Sequence, residues 1–392
     1  MKLWQTNQLK RINLLEGSVS SGKTWISLVL WAFWVKTMPE DKLYMMCAKS
    51  LTTLKRNCLI LLQELVGVDN FEFSVSAKEG QLFGRKILLE GANDARSEAK
   101  IRGLTLQGAY CDELTQFPQD FFSMLLSRLR VPGAKLIATT NPDSPLHWLK
   151  TNYIDRRDKL SFLDMSFLID DNTTLPRDYV DNLKLEYTGV FYDRFILGKW
   201  VLAQGVVYNG IFDKAKHITD ATFETLPVYY VSCDYGTQNA TVFLLWHKLK
   251  DGRWICEKEY YYSGRTEIKQ KTDEQYCDDL KLFLGDIKIS GIIIDPSAAS
   301  FIAALRKRGY VIIPAKNSVL DGIRFTASLL NQNKLLFRSC CKNTIEEFGV
   351  YSWKPDTAED EVIKENDHAM DALRYFCYTH LATSKVGTAH IR

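Results

Sequence analysis

The sequence lacks a surplus of charge of either sign, and it lacks any long apolar run. Its 392 residues carry 50 Lys and Arg against 47 Asp and Glu, so charge alone would not make it bind nucleic acid. The longest apolar stretch, residues 25–35, is well short of the roughly twenty residues that a membrane-spanning helix needs. The polar start of the chain shows no leader pattern. We therefore expect a soluble intracellular protein without a membrane partner.

Regularly spaced cysteines are also missing. The nine cysteines are scattered without a CxxC pair, and Cys340 and Cys341 are adjacent, which is awkward for a disulfide framework. The sequence therefore favours reduced, mostly buried thiols. Hydrophobic content of 46% and charged content of 25% are ordinary globular values. A chain of this length is expected to fold as more than one domain.

The first half alternates between strand-like and helix-like segments. Strands are predicted at 11–15, 42–47, 85–90, 108–112 and 135–140, and helices at 24–36 and 51–66. This alternation predicts an α/β domain over residues 1–204 with a parallel sheet and helices on its faces. Residues 150–204 lack the alternation, so they are expected to form a mostly helical lid or connecting subdomain.

The second half begins after a turn-rich stretch. Residues 205–227 are short of regular patterns and are expected to be a linker. A second α/β domain is predicted over 228–392. Its strands are expected at 228–233, 240–248, 254–262, 289–294 and 310–314, with helices at 266–284 and 298–309.

Residues 17–24, Gly-Ser-Val-Ser-Ser-Gly-Lys-Thr, form a complete GxxxxGK[ST] phosphate-binding loop between a predicted strand and a predicted helix. Gly17 and Gly22 would let the backbone wrap around phosphates, and amides along Ser18, Val19, Ser20 and Ser21 would point at them. Lys23 would pair with the β- and γ-phosphates of ATP, and Thr24 would hold Mg²⁺.

Further candidates for the same site follow two later strands. Asp112 ends the predicted strand 108–112 and could hold Mg²⁺ through water, and Glu113 could polarise the attacking water. Thr140 and Asn141 end the strand 135–140, where they could sense the γ-phosphate. Gln8, shortly before the loop, could contact adenine.

Phosphoryl transfer usually also employs an arginine, and the loop contains none. Arg102 and Arg128 are the nearest candidates along the chain. Either residue could equally be an ordinary surface or structural arginine.

Acidic residues mark a second predicted site in the second half. Asp234 and Asp295 end two predicted strands, and Asp367 and Asp371 lie four residues apart on one helical face. Two like charges at that spacing destabilise a helix unless something positive lies between them. A pair of Mg²⁺ or Mn²⁺ ions would satisfy this need and would activate water for phosphodiester cleavage. His368 could orient such a water or a phosphate.

With both sets of residues in place, the chain resembles the large subunit of tailed-phage terminases. The resemblance covers nearly the whole chain and rests on seven segments in the family's order. These are GSVSSGKT (17–24), KIRGLTLQGAYCDELTQFP (100–118), ATTNPDSPLHW (138–148), FILGKWVLAQGVVY (195–208), SCDYGTQNATVFLLW (232–246), IIIDPSA (292–298) and NDHAMDALRY (366–375).

The resemblance implies a P-loop ATPase motor followed by a ribonuclease H-like nuclease. By it, Lys23, Thr24, Asp112 and Glu113 serve ATP hydrolysis, and Thr140-Asn141 falls in a coupling motif. Asp234, Asp295 and Asp371 match the nuclease acids, with Asp367 and His368 as neighbours. Many large terminases carry an arginine inside the phosphate loop, where this chain has residues 18–21, so the arginine could instead come from Arg102, Arg128 or an adjacent subunit.

The resemblance also implies the partners and the place of action. These are double-stranded DNA, a small terminase subunit, the portal of a procapsid and further copies of the chain in a ring, all in the host cytoplasm. Two other functions stay open on the residues alone. One is a DNA translocase with an inert second domain, and the other is an assembly adaptor that uses nucleotide only as a switch.

Overall fold

The computed structural model describes residues 8–382 apart from 94, 237–238, 265–266, 268 and 356. These residues divide into two compact units. The first comprises the chain up to Asp181 together with Val190–Leu202, and the second comprises Asn182–Gly189 and the chain from Ala203 onward. The functional boundaries at residues 204 and 228 stay predictions.

The first unit is built on an eight-stranded sheet. In chain order the strands are β1 (Ile12–Gly17), β2 (Leu43–Ala48), β3 (Phe71–Ser74), β4 (Glu79–Leu82), β5 (Arg85–Gly91), β6 (Leu106–Cys111), β7 (Lys135–Thr140) and β8 (Phe162–Phe167). They lie in the order β3-β4-β5-β2-β6-β7-β1-β8. The six strands from β5 to β8 are parallel, and β3 and β4 add an antiparallel edge.

Helices cover both faces of this sheet, as expected for buried parallel strands. The helices of eight or more residues are Lys23–Lys36, Gln119–Arg128 and Arg177–Glu186, the last of which continues into the second unit. Another continuous helical segment consists of Leu51–Leu54, the π-helical Lys55–Leu59 and Ile60–Val66. Shorter helices are Trp148–Asn152 and Gly189–Phe195. Successive β1 residues alternate between the two cores: Leu14 packs into one and Leu15 into the other.

The second unit contains a six-stranded mixed sheet. Its strands are β9 (Thr225–Asp234), β10 (Ala240–Leu249), β11 (Trp254–Ser263), β12 (Gly291–Ile294), β13 (Ile312–Pro314) and β14 (Leu335–Phe337), in the order β13-β12-β9-β10-β11-β14. β10 is antiparallel to both β9 and β11, whereas β12 is parallel to both β9 and β13. This order and these directions are those of a ribonuclease H-like sheet, so the predicted fold class is confirmed.

The helices of the second unit include Lys214–His217, Asp273–Leu284, Ala299–Lys307, Val319–Asn331, Lys342–Val350 and His368–Tyr375, which continues as the π-helical Phe376–Leu381. The helix predicted over 266–284 begins at Asp273, because Thr272 caps it: the Thr272 side chain accepts a hydrogen bond from the amide of Gln275. Thr266 lies outside the described residues. No helix in the described ranges is both long and apolar enough to cross a membrane.

Two irregular segments contain more structure than the sequence indicates. Residues 150–204 are mostly helical, as expected, but β8 also lies in them and extends the main sheet beside β1. Residues 205–227 were expected to be a linker, but they pack within the second unit. Tyr208 and His217 are buried there, and His217 Nε2 lies 2.9 Å from the carbonyl oxygen of Leu330.

Two candidate active sites

The phosphate-binding loop connects β1 to the helix Lys23–Lys36, and its shape depends on two glycines. Gly17 has a φ of 135°, and a Cβ placed on it would lie 1.9 Å from the carbonyl oxygen of Phe167. Gly22 precedes the helix in a left-handed conformation, with a φ of 83°. Side chains disfavour both conformations, so the loop requires glycine at both of these positions.

Lys23 turns back into the loop. Its Nζ donates to the carbonyl oxygen of Ser18 (2.5 Å) and to Oδ1 of Asn141 (3.0 Å). Burial lowers the pKa of Lys23 to about 8, although nearby Glu113 and Asp112 oppose this shift. A buried ammonium held mainly by carbonyl oxygens can exchange these partners for a phosphate.

The predicted acids Asp112 and Glu113 follow β6 directly and lie next to Lys23. Asp112 is buried and accepts hydrogen bonds from Thr139 Oγ1 (2.9 Å) and Asn57 Nδ2 (3.1 Å). Glu113 has a φ of 56° and accepts from Asn141 Nδ2, 3.0 Å from its Oε2. Asn141 therefore bridges Lys23 and Glu113 with the two ends of its amide.

Burial, reinforced by the neighbouring Asp112, raises the pKa of Glu113 to about 7. A carboxyl group with a pKa near neutrality can both accept and release a proton, which is the requirement for general-base action on water. Asp112 provides the adjacent negative charge that a Mg²⁺ ion would need.

A cavity of about 370 Å³ opens at this loop. Its lining comprises Val19, Ser20, Ser21, Gly22, Lys23, Thr24, Trp25, Glu113, Asn141, Asn172 and Leu175. Asn172 also fastens the loop, since its Nδ2 donates to the carbonyl oxygen of Ser20 at 2.8 Å. Asn57, Trp25, Asn172 and Leu175 were not singled out from the sequence, although Trp25 directly follows the motif.

Several residues predicted for this site are absent from the cavity lining, among them Gln8, Arg102 and Arg128. Gln8 is exposed, Arg102 pairs with Glu98, and Arg128 bonds to Ser127 at the surface. Among the residues that the structure describes, no arginine lines the cavity. Arg194 instead contacts the segment after β7, with Nη1 2.9 Å from Asp143 Oδ1, and it also donates to the carbonyl oxygen of Val201.

The acids of the second unit converge although they are far apart in the chain. Asp234 ends β9, Asp295 follows β12, and these parallel strands are neighbours in the sheet. Asp371 lies on the helix His368–Tyr375, which packs against β9, β10 and β12, and Asp367 precedes that helix. Tyr375 lies within electrostatic range of Asp371, Asp234 and Asp295. The four predicted acids therefore belong to one neighbourhood.

Most of these carboxylates already have a basic partner from the chain itself. His368 Nδ1 lies 2.9 Å from Asp234 Oδ2, and Arg374 donates to Asp371 Oδ1 at 2.8 Å. The Nζ of Lys364 lies 3.2 Å from Asp367 Oδ2 and 3.4 Å from Asp371 Oδ2. The positive charge expected between Asp367 and Asp371 is thus present in the chain itself, as Lys364.

Asp295 differs from the other three acids because neutral groups surround it. It accepts hydrogen bonds from the Ser297 amide (2.8 Å), Asn317 Nδ2 (3.1 Å) and the Tyr375 hydroxyl (3.5 Å). Partial burial alone would raise the pKa of Asp295, but these hydrogen bonds outweigh it and lower the pKa below the ordinary value. Asp295 therefore stays ionised and available as a ligand.

Carboxylate oxygens are the ligands that Mg²⁺ and Mn²⁺ take, so the donor set fits such ions in kind. In the part of the chain that the structure describes, no three His, Cys, Asp or Glu side chains are arranged to hold a metal ion. Lys364 and Arg374 instead form ion pairs with the carboxylates of Asp367 and Asp371.

Glu347 supports this site by binding the start of the helix that bears Asp371. Glu347 is buried, and its Oε2 accepts hydrogen bonds from the amides of Ala369 (2.7 Å) and Met370 (3.1 Å) in the first turn of the helix that bears Asp371. Its Oε1 accepts from the Tyr261 hydroxyl at 3.0 Å. Nothing local in the sequence marks Glu347, Lys364 or Arg374 for these contacts.

Comparison with known proteins decides the family. Residues 14–211 match the model of the terminase large subunit, T4likevirus-type, N-terminal domain. This chain belongs to the large terminase subunit family. The resemblance inferred from the seven sequence segments is thereby confirmed.

Solved structures of large terminases match over nearly the whole chain. The large terminase of a thermophilic bacteriophage is 38% identical, with 97% of each chain covered and a TM-score of 0.89. The complex of that phage's large terminase with ATP-gamma-S is 39% identical and covers 95% of this chain and 94% of that one, with a TM-score of 0.85. The terminase large subunit of Escherichia phage T5 is 29% identical over 167 residues, which are 41% of this chain and only 36% of the T5 protein.

Proposed function

We propose that this large terminase hydrolyses ATP in its first unit to move double-stranded DNA into a procapsid, and cleaves concatemeric DNA with its second unit. The observation that carries the proposal is that one chain contains two clusters of residues suited to hydrolysis. One is the Lys23–Asn141–Glu113 arrangement at the phosphate loop, and the other is the convergence of Asp234, Asp295 and Asp371. The similarity to a large terminase solved with ATP-gamma-S supports ATP as the nucleotide.

For ATP hydrolysis, the loop amides and Lys23 would bind the β- and γ-phosphates. Thr24 and Asp112 would hold Mg²⁺, which would neutralise developing charge on the phosphates. Glu113 would take a proton from the attacking water, consistent with its pKa of about 7.

The hydrogen bonds of Asn141 would change with the state of the bound nucleotide. When Lys23 turns to a phosphate, its 3.0 Å hydrogen bond to Asn141 must give way. Two residues later, Asp143 is held by Arg194, which also bonds to Val201 near the end of the first unit. This route would carry hydrolysis into movement of the segment that follows residue 195.

For DNA cleavage, Asp234, Asp295 and Asp371 with Asp367 would hold Mg²⁺ or Mn²⁺, which would supply a polarised phosphate and an activated water. His368 would orient Asp234, and Glu347 would hold the helix that presents Asp371. The four acids provide phosphate binding through metal, so the near-neutral charge of the chain is compatible with DNA as substrate.

The proposal extends to partners and place of action. We infer a ring of copies on the portal of a procapsid, a small terminase subunit that selects the DNA, and action in the host cytoplasm. Since no arginine among the described residues lines the nucleotide cavity, a neighbouring copy in the ring would supply one.

The test is plasmid cleavage by the purified chain in Mn²⁺, run beside ATP hydrolysis, with Asp295→Ala and Lys23→Ala. We expect Asp295→Ala to lose cleavage and keep ATP hydrolysis, and Lys23→Ala to do the reverse. A folded wild-type chain that hydrolyses ATP without cutting would favour a translocase with an inert second domain. Nucleotide binding without turnover would favour an assembly adaptor.

A further inference from the structure

One positively charged side chain in the acid site, that of Lys364, is held only weakly. Lys364 places its ammonium between Asp367 and Asp371, at 3.2 Å and 3.4 Å from their Oδ2 atoms. Both carboxylates are otherwise shielded, with side-chain exposures of 6% and 13%. The lysine thus occupies the point where these two acids would share a metal ion.

The second cation of the site, Arg374, provides an internal contrast. Its side chain is only 2% exposed, and it also donates to the carbonyl oxygens of Asn317 (2.9 Å) and Ser318 (3.3 Å). Gly322 packs against it so closely that a Cβ there would lie 2.4 Å from Arg374 Cγ. Arg374 is therefore a fixed part of the fold, and its bond to Asp371 does not need to break.

Lys364 has none of this support. Its side chain is 57% exposed, and the described contacts of its ammonium are the two carboxylates alone. Ion pairs made by an exposed, flexible lysine contribute little net stability, because solvent screens them and the side chain loses conformational entropy. A divalent ion with direct oxygen ligands would therefore displace this ammonium at small cost.

The backbone just before Lys364 is held by pairing with an earlier segment. Residues 361–363 pair with residues 352–354: the Ile363 amide donates to the Ser352 carbonyl oxygen (2.9 Å) and the Lys354 amide donates to the Glu361 carbonyl oxygen (2.8 Å). Lys364 directly follows this pairing. A cavity of about 500 Å³, lined in part by Lys364, His368, Tyr261 and Asn343, gives the displaced side chain room beside the acids.

We propose that Lys364 is an exchangeable internal counter-ion that holds Asp367 and Asp371 together without metal and that a divalent ion must displace to load the nuclease site. The inference rests on the proposed function, since it assumes that these acids bind metal. Its consequence is that Lys364 weakens metal binding, so the wild-type site fills only at higher metal concentration than the acids alone would require.

The experiment measures Mn²⁺ binding directly, by the electron paramagnetic resonance signal of free Mn²⁺ titrated into the nucleotide-free full chain. Lys364→Met removes the charge and keeps the side-chain length. We expect it to bind Mn²⁺ at least about tenfold more tightly than wild type, because a cation next to the ion disappears. Lys307→Met removes one charge from an exposed position on another helix of the same unit, and its affinity should equal that of wild type.

Asp234→Asn shows which part of the Mn²⁺ binding belongs to the acid site, because this variant should lose that part. It leaves Lys364 unaffected, since the described contacts of Lys364 do not include Asp234. If wild type shows no Mn²⁺ binding that depends on Asp234, the proposed nuclease function fails. If that component is present and Lys364→Met binds Mn²⁺ no more tightly than wild type, the counter-ion inference alone fails. Thermal melting in chelator verifies that each variant is folded before titration.

Discussion

The two candidate sites of this large terminase balance their buried charges in opposite ways. At the phosphate loop, one buried lysine lies beside two carboxylates, and neutral side chains such as Asn141 and Thr139 make the hydrogen bonds to those acids. In the second unit, four carboxylates converge, and two cations and a histidine of the chain hold three of them. Neutral hydrogen-bond donors therefore stabilise the carboxylates of the first site, whereas basic side chains stabilise most of those in the second.

This difference follows from how each site is assembled. A single loop with glycines near both ends shapes the surroundings of Lys23 in the first site, so that part of its geometry is local. The second site takes acids from two strands and one helix, and their mutual repulsion must be offset before any metal arrives. We therefore expect loop substitutions to affect ATP hydrolysis alone, and substitutions of distant supports to affect the acid site alone.

The largest effect is expected for Glu113→Gln. The amide keeps the shape but cannot accept a proton from water, so ATP hydrolysis should fall by roughly 10² to 10⁴-fold. Steady-state phosphate release measures this, and DNA cleavage should be unchanged. Glu64→Gln, on an exposed position of the helix Ile60–Val66, is the matched control. Equal loss in both variants would contradict the assignment of Glu113.

Gly17→Ala tests whether the loop requires glycine at its first position. The added methyl group would meet the Phe167 carbonyl oxygen in an unfavourable backbone conformation, so we expect a loss of about 3 kcal/mol or more in unfolding free energy. Gly103→Ala has a similarly positive φ of 82° but open space, and should cost only about 1 kcal/mol. Denaturant unfolding compares them, and similar costs would show that the close contact is unimportant.

Glu347→Ala tests the long-range support of the second site. It removes the acceptor for the buried amides of Ala369 and Met370, which should cost about 2 kcal/mol and reduce DNA cleavage. ATP hydrolysis should be unaffected. Glu347→Gln keeps an acceptor oxygen and should recover most of both losses. Thermal melting and cleavage assays decide this, and full cleavage by the alanine variant would remove Glu347 from the site.

The smallest effect concerns Glu16 on β1, a buried acid that accepts from Trp200 Nε1 at 2.8 Å. Burial, reinforced by Asp164, raises the pKa of Glu16 to about 7 from the ordinary 4.5. The folded protein then holds a proton that the unfolded chain releases, so stability contributed by protonated Glu16 is complete below about pH 4.5 and declines as pH rises towards 7.

Glu16→Gln should remove this decline, since glutamine can still accept from Trp200 without a charge. The unfolding free energy of the variant minus that of wild type should therefore be larger above pH 7 than at pH 4.5, by on the order of 2 kcal/mol. Unfolding free energies measured across this range provide the test. If the unfolding free energies of the two proteins changed with pH in parallel, Glu16 would not titrate between pH 4.5 and 7.

Much of this architecture could be predicted from local pattern. β1, β2, β6 and β7 are short apolar runs with polar ends, and the phosphate loop is contiguous. β8 was missed because residues 162–167 contain polar side chains and lie in a mostly polar stretch, so the segment becomes a strand only through its pairing with β1. β14 was also missed, and it joins the sheet only through its parallel pairing with β11.

The loop at 17–24, the acids at strand ends and the requirement for positive charge between Asp367 and Asp371 can all be read from local sequence. These depend on neighbouring residues, whose geometry the chain sets locally. The folded chain alone shows that Lys364 meets that requirement, that Glu347 anchors the helix, and that Asn141 joins Lys23 to Glu113. Such contacts join segments distant along the chain or side chains without a local motif, and their energies exist only after the sheets have brought them together.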